Sequence, residues 1–430
     1  MQDFKDKKIA IIGSGVEGLS SEKFLTDKGA VVTLIDKTQG DNYLENLERY
    51  DLIVRSPGVK PHLLDKYKNV TSQTKLFFEL SPCKIIGVTG TKGKGTTSSL
   101  IYEMLKKQGL DAYLGGNIGK PPFEFLDKLT AQSIVVLELS SFQLIDLDKS
   151  PHIAVMLMTT SEHLDWHKDL DEYINAKRNI LRFQTEKDFA IFNRDYIASN
   201  ESDIHTNAKT YYVSTEREGR DGSYVSDKSV RIKINGREEK IINVEEILLP
   251  GKHNLENVSA AALAATFAGV SKENIEAVLK NFKGLEHRLE LVATVKGVKY
   301  YDDSFSTTPE TAIAAINAFK NPEILILGGS SKNSNFEELG KTISNAENIK
   351  AIIGIGLEWE RIKSTINNQQ SAIILIEGAD SMEKIVKAAS KIALPGDVVL
   401  LTPACASFDM FKNYKDRGEQ FKAEVNMLKE

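Results

Sequence analysis

Short apolar runs recur along the chain and alternate with stretches in which apolar residues return every three or four positions. "KKIAIIGSG" (7–15), "AVVTLID" (30–36) and "YDLIVRSPG" (50–58) read as strands of a first small unit, and a helix over about 17–27 crosses between the first two. Ser81-Pro82 breaks the pattern. A second unit follows, with strand "KIIGVTG" (84–90), helix "GTTSSLIYEMLKKQG" (95–109) and strands "SIVVLELS" (133–140) and "HIAVMLMT" (152–159). Between about 203 and 243 the strands become short and polar ("KTYYVST", "SVRIKING", "EKIINV"), which predicts an antiparallel excursion. An alanine-rich helix over 254–269 precedes a third unit with strands "VKYYDDS", "EILILGG", "IKAIIGIG" and "DVVLLTP". Strands alternating with helices predict an α/β fold with mostly parallel sheets in three domains, 1–82, 83–284 and 285–430.

A chain of 430 residues has room for three cores. Its net charge of −5 gives no general attraction for nucleic acid. Two cysteines, Cys83 and Cys405, make no disulfide framework and suit a reducing compartment. No apolar run reaches the roughly 18 residues of a membrane span. "MQDFKDKKIAIIGSG" enters a strand pattern without a signal-peptide core. These features predict a cytoplasmic enzyme that binds no nucleic acid and inserts in no membrane.

Two glycine loops carry candidate chemistry. Gly13, Gly15 and Gly18 lie between a strand and a helix, and Asp36 ends the next strand. This is the Rossmann-like pattern, in which a helix N-terminus receives a diphosphate and the carboxylate takes a ribose hydroxyl. NAD fits it, and so does a UDP-sugar; nothing else in the chain supplies hydride chemistry. "SPG" at Ser56–Gly58 either closes the same pocket or is a plain turn.

The second loop, "GVTGTKGKGTTSSL" (87–100), follows a strand and opens a helix. Gly90, Gly93 and Gly95 let backbone N–H groups approach phosphate oxygens, and Lys94 brings charge to them. The usual phosphate loop has a hydroxyl directly after the lysine to hold Mg²⁺; here Gly95 stands there and Thr96 and Thr97 come next. Glu138, emerging from a buried strand end, is a candidate oxygen ligand. His163, Asp165 and His167 have an H-x-D-x-H spacing that suits Zn²⁺ or a merely solvated loop. Lys177 on a helix reads, by itself, as a surface lysine.

With these loops, "ELSSFQL", "HLDWHKDLDEYINAK", "LPGKHNLENVSAA", "GLEHRLE", "DDSFSTTPETAIAAI", "LILGGSSK" and "TPACASFDMFKNYKDRGEQF" occur in an order that resembles the Mur ligases over nearly the whole chain. The glycine loop, H-N-x-x-N and G-L-x-H-R mark the superfamily; "ELSSFQL" and "PACASFDMF" point to its D-glutamate-adding branch. The resemblance implies a UDP-binding Rossmann-like domain, a central ATP-binding P-loop domain and a C-terminal Rossmann-like domain that brings the amino acid. It implies an ADP-forming carbon–nitrogen ligase of peptidoglycan precursor synthesis, acting as a monomer. UDP-N-acetylmuramoyl-L-alanine and D-glutamate would be joined through an acyl phosphate, with ATP and two Mg²⁺ ions.

By matching position, Gly90, Thr91, Lys92, Gly93, Lys94, Gly95, Thr96 and Thr97 would cradle the phosphates, with Lys94 on the γ-phosphate. Glu138 and His163 would hold Mg²⁺, and Lys177 would be carbamylated and help hold one ion. Thr96 is the expected replacement for the missing hydroxyl ligand. Asn257 would meet adenine, Arg288 the ATP phosphates and Asp303 the ribose. Val16, Glu17 and Asp36, with Ser56 and Gly58, would face the uridine diphosphate. Asn117, Gly119, Ser140 and Gln143 would line the muramoyl path. Lys332, Ser407 and Phe408 would hold D-glutamate, with Tyr414 nearby.

The chain departs from the family pattern at Gly95, at Phe305 (lysine in some relatives), at Met158 (usually asparagine) and at Thr402 (usually serine). "GKGT" is similar to the folylpolyglutamate synthetase loop, so a related ligase with another amino acid or acceptor is the alternative. That family lacks the first glycine loop.

Overall fold

The computed structural model describes residues 3–163, 165–330, 334–367 and 373–428. The chain divides into two compact units, residues 1–247 with 253–281 and residues 248–252 with 282–430.

The first unit contains two sheets. In the smaller, β1 (Lys8–Ile12), β2 (Val31–Ile35), β3 (Leu52–Arg55) and β4 (Val70–Ser72) run parallel in the order β2-β1-β3-β4. The larger has nine strands: β5 (Lys84–Thr89), β6 (Ala112–Gly116), β7 (Ile134–Glu138), β8 (Ile153–Met156), β9 (Phe189–Asn193), β10 (Lys209–Ser214), β11 (Gly222–Ser226), β12 (Ser229–Ile234) and β13 (Arg237–Asn243). Their order is β13-β12-β11-β10-β9-β8-β5-β7-β6. The polar region is only partly antiparallel. β10 pairs parallel to β9 and β11 parallel to β10; antiparallel pairing begins at β11–β12. β10 alternates too weakly for its sequence to reveal that it extends a parallel sheet.

The second unit holds β14 (Glu290–Val295), β15 (Val298–Asp302), β16 (Glu323–Gly328), β17 (Ile349–Ile355), β18 (Ile374–Ile376) and β19 (Val398–Leu401), ordered β14-β15-β19-β16-β17-β18. β14 alone is antiparallel to its neighbour.

Central parallel strands are covered on both faces, so they read as continuous apolar runs. β5 is buried from Ile85 to Thr89, and β16 over its whole length. In the first unit one apolar cluster runs from Ile9, Phe24 and Phe77 through Phe123 and Phe125 to Val135 and Phe192, so the two sheets share a core. A polar tie joins the same sheets. Arg55, at the end of β3, is fully buried and meets Asp146 through two bonds, Nε–Oδ2 at 2.8 Å and Nη2–Oδ1 at 2.6 Å. Its remaining donors reach the carbonyls of Val59 and Phe142.

In parallel sheets, ligands gather beyond the carboxyl ends of strands where the order reverses. β5 lies between β8 and β7, so the loop after β5, Glu138 at the end of β7 and the segment after β8 open on one edge. In the smaller sheet the segments after β1, β2 and β3 do the same, carrying Gly13, Asp36 and Ser56. In the second unit the corresponding neighbours are β15, β19 and β16.

Candidate active site

The chain turns from β5 into the helix Lys94–Lys107 through Gly90 (φ +152°) and Gly93 (φ +86°). A Cβ on Gly93 would lie 2.2 Å from Asn257 Oδ1, and one on Gly90 2.8 Å from Leu157 Cβ. Only glycine fits either position. The helix N-terminus then points its free N–H groups and positive dipole end toward any phosphate. Lys94 Nζ donates to the carbonyls of Gly90 (2.9 Å) and Thr91 (3.0 Å). Lys92 is drawn to Glu162 at 2.6 Å. Thr97 is buried and its hydroxyl turns to Asn257 Oδ1 at 3.4 Å. Thr96 is partly exposed and makes no side-chain hydrogen bond among the described residues, so it is the hydroxyl available at the loop. Met158 meets the loop through its carbonyl, which accepts Thr91 N–H at 2.6 Å. Any residue makes that contact, so the exchange for asparagine leaves this bond intact.

Lys177 is not a surface lysine. It is 1% exposed and donates to the Gly90 carbonyl at 2.8 Å, with its ammonium 4.7 Å from the centre of the Tyr173 ring. Burial, reinforced by the Lys94 charge, pulls its pKa well below the usual lysine range against the opposing pull of Glu162 and Glu138. Tyr173 precedes it by four residues, hence on the same helix face, and its hydroxyl meets Thr91 Oγ1 at 2.9 Å. The sequence reading passed over Tyr173, although the Y-x-x-x-K spacing carried the signal.

Glu138 is buried, and its Oε1 accepts Asn117 Nδ2 at 2.8 Å. His163 sits in a left-handed turn (φ +58°), half exposed, against the Phe142 ring. Gly119 also takes positive φ (+73°), where a Cβ would press on Leu114 O at 2.9 Å. Among the described residues, His163, Asp165 and His167 do not gather as a metal-ligand cluster. His167 is buried and engaged at both nitrogens, by Ser141 Oγ (2.9 Å) and Glu172 Oε2 (3.2 Å). The predicted magnesium set fits that ion's chemistry: one or two protein oxygens suffice where phosphates and water complete an octahedron. Glu138 and Thr96 provide such oxygens beside the loop.

At the smaller sheet, Gly13 (φ +101°) and Gly18 allow a close strand–helix turn, since a Cβ on Gly18 would meet Gly13 O at 1.9 Å. Asp36 accepts from Ser14 N (2.9 Å), Ser14 Oγ (2.8 Å) and Thr38 N (3.1 Å), which holds its carboxyl below the usual range. Val16 is exposed and Ser56 Oγ donates to Gly13 O. Trp166 Nε1 donates to Gly58 O at 3.2 Å. Glu17 accepts Gln143 Nε2 at 2.6 Å, and Gln143 in turn accepts Ser140 N and Oγ. Burial pushes Glu17 up to about 7, against the Gln143 bond and the Arg55 charge. Glu17, expected on the diphosphate side, and Gln143 and Ser140, expected on the muramoyl side, are therefore one hydrogen-bonded chain.

In the second unit, Asp303 is buried between Leu289 N–H (3.1 Å), Thr402 Oγ1 (3.1 Å) and the Ser306 hydroxyl, and burial raises its pKa to about 7. Thr402 thus supplies the hydroxyl that serine would. Arg288 lies 3.7 Å above the centre of the Phe305 ring, and Phe305 meets Tyr414 edge to face. Ser407 is buried; Phe408 is exposed, with its N–H on Ser330 Oγ. Lys332 lies outside the described residues. Arg417, fully buried, donates to Ser304 Oγ (2.9 Å) and to the carbonyls of Ser304 (2.9 Å), Cys405 (3.2 Å) and Ala406 (3.4 Å). It fastens the segment carrying Asp303 to the segment carrying Ser407.

Glycine-loop helix, buried loop-facing lysine and carboxylate at the next strand end together define a nucleotide-using α/β enzyme. The Mur ligase middle domain matches residues 88–265, and the family described as Mur ligase, glutamate ligase domain matches residues 287–405. UDP-N-acetylmuramoylalanine--D-glutamate ligase of Acetivibrio thermocellus is 37% identical, covering 99% of this chain and 97% of its own. The enzyme of the same name from Clostridium acetobutylicum is 38% identical with the same coverage. The crystal structure of MurF ligase from Thermotoga maritima in complex with ADP superposes with a TM-score of 0.60 at 18% identity, covering 99% of this chain and 96% of that one. This chain belongs to the Mur ligase family, and with it to the ATP-dependent ligases that form carbon–nitrogen bonds.

Proposed function

We propose that the chain joins D-glutamate to the carboxyl group of UDP-N-acetylmuramoyl-L-alanine at the expense of ATP. The observation that carries this reading is the match, over 99% of the chain, to ligases of that name. A phosphate loop facing buried Lys177 supports it.

In this reading the acceptor carboxylate attacks the γ-phosphate, ADP leaves, and the acyl phosphate is then opened by the D-glutamate amine with release of phosphate. Lys94 turns from the Gly90 and Thr91 carbonyls to the γ-phosphate and balances its charge. Lys177, whose pKa burial lowers, would add CO₂ through its unprotonated amine: a nitrogen–carbon bond forms, a proton leaves nitrogen, and a carboxylate results. That carboxylate, Glu138, Thr96 and His163 would hold magnesium, which neutralises the transferring phosphoryl group. Asn257 would meet adenine. Arg288, kept flat by Phe305, would meet the phosphates, and Asp303 the ribose. The Val16–Glu17 turn, Asp36, Ser56 and Gly58 would take the uridine diphosphate, and Asn117, Gly119, Ser140 and Gln143 the muramoyl portion. Lys332, Ser407, Phe408 and Tyr414 would take D-glutamate. Residues 1–82, 83–284 and 285–430 would thus bring one substrate each.

The test is phosphate release with ATP, UDP-N-acetylmuramoyl-L-alanine and a panel of D- and L-amino acids. Release that depends on D-glutamate is expected. Release no greater than the single-substrate blanks would sink the proposal.

A further inference from the structure

Ser141, His167 and Glu172 form a hydrogen-bonded row with the outline of a hydrolase triad. Ser141 is 1% exposed and His167 2%, so no substrate reaches the hydroxyl. The row has another use, visible in what each end holds.

Glu172 is acceptor-only when ionised, so His167 Nδ1 carries the proton it shares with Glu172. Nε2 then accepts the Ser141 hydroxyl proton. Ser141 opens the short helix Ser141–Leu144, whose cap is the Ser140–Gln143 pair and whose Gln143 reaches Glu17. Glu172 also accepts Lys168 N–H at 2.9 Å and lies on the helix Leu170–Arg182. One residue on, Tyr173 bonds Thr91 of the phosphate loop; Lys177 bonds Gly90. His167 N–H closes the turn that carries His163, onto the His163 carbonyl at 3.0 Å. Its ring packs against Phe142 (5.7 Å between centres), Trp166 (4.7 Å) and Tyr173 (5.4 Å). Trp166 continues to Gly58 of the smaller sheet.

We propose that His167 is a positioning residue that sets the acceptor-side helix Ser141–Leu144 in register with the phosphate loop. The acceptor half of this statement rests on the proposed reaction. Nucleotide on the loop acts on Thr91 and Gly90, and the helix Leu170–Arg182 passes this through Glu172 and His167 to Ser141. The fixed imidazole thereby keeps the acceptor carboxylate aimed at the γ-phosphate.

Two measurements test this. Hydrogen exchange needs no turnover: ADP should protect the amides of 90–97 in every variant, and those of 140–145 in the wild type but not in Ser141→Ala. Ser141→Ala removes one hydroxyl and leaves the ring packing in place. In steady state, His167→Ala and His167→Asn should raise KM for UDP-N-acetylmuramoyl-L-alanine about tenfold, the effect of leaving one buried hydroxyl unpaired. His167→Gln, whose amide reaches the Nε2 position, should recover to within about threefold of wild type. The proposal fails if ADP protects 140–145 equally in Ser141→Ala, or never does so in the wild type. It also fails if the Gln and Asn variants behave alike. A wild type without D-glutamate-dependent turnover defeats the proposed reaction and leaves the exchange result to decide the coupling.

Discussion

Lys94 and Lys177 share one acceptor: the carbonyl of Gly90 takes a hydrogen bond from each, at 2.9 and 2.8 Å. Two ammonium groups this close repel, and only Lys94 has a partly solvated position. Lys177 is therefore the one held toward the neutral amine. Lys177→Ala is expected to lower turnover by about 100-fold or more while the Kd for ADP stays within about threefold. Enzyme freed of CO₂ should lose rate and regain it with bicarbonate. Equal loss of ADP affinity and rate would instead make Lys177 a support of the loop.

Gly93→Ala puts a methyl group onto Asn257 Oδ1 at 2.2 Å in a left-handed turn. Strain and the displaced asparagine together should cost about 10- to 100-fold in ADP affinity, read by calorimetry. An unchanged affinity would mean that nucleotide binds elsewhere.

Gly418 lies within the helix Tyr414–Met427, where alanine ordinarily gains about 1 kcal/mol. Here a Cβ would meet His287 Nδ1 at 2.2 Å and Asp302 Oδ2 at 2.6 Å, and those two atoms are bonded to each other at 2.7 Å. The collision with a buried pair outweighs propensity. Gly418→Ala should destabilise by about 1–3 kcal/mol in urea unfolding.

Glu323 is fully buried at the start of β16, with Oε1 on Asn348 Nδ2 at 2.9 Å and Oε2 without a hydrogen-bond partner among the described residues. Burial pushes its carboxyl up to about 8 from 4.5. A raised carboxyl binds its proton more tightly in the folded state. Its contribution is whole below about 4.5 and is lost as pH rises through about 8, at most about 5 kcal/mol. Glu323→Gln should therefore be increasingly more stable than wild type from pH 5 to pH 9. A pH-independent difference would show that Glu323 is not protonated in the fold.

The alternating pattern made the three sheets legible because buried parallel strands are apolar throughout and short. β4, β6, β9, β11, β14 and β18 are absent from the sequence reading: β4, β6, β14 and β18 are edge strands whose partial exposure dilutes the signal, β11 is short, and β9 is a buried five-residue run too brief to stand out between helices. The glycine loops were legible because backbone geometry there demands glycine. Lys177 was not, since burial is a property of the fold; a lysine reads the same in water and in a core. His167 suggested a metal by spacing, and its burial assigns it to a serine and a glutamate. Arg55 and Arg417 were invisible for the same reason as Lys177: Asp146 and Phe142 meet Arg55, and Ser304, Cys405 and Ala406 meet Arg417, only once the chain is folded.

Three of the four groups that Arg417 holds are main-chain carbonyls. A guanidinium that grips the backbone leaves the side chains on those segments unused. Phe305, Ser407 and Phe408 can thus be exchanged one by one with the Arg417 bonds in place, whereas Asp303 is itself tied to Leu289, Ser306 and Thr402. On the proposed reading, what Ser407 and Phe408 take up can change by substitution while the frame that Arg417 holds stays constant.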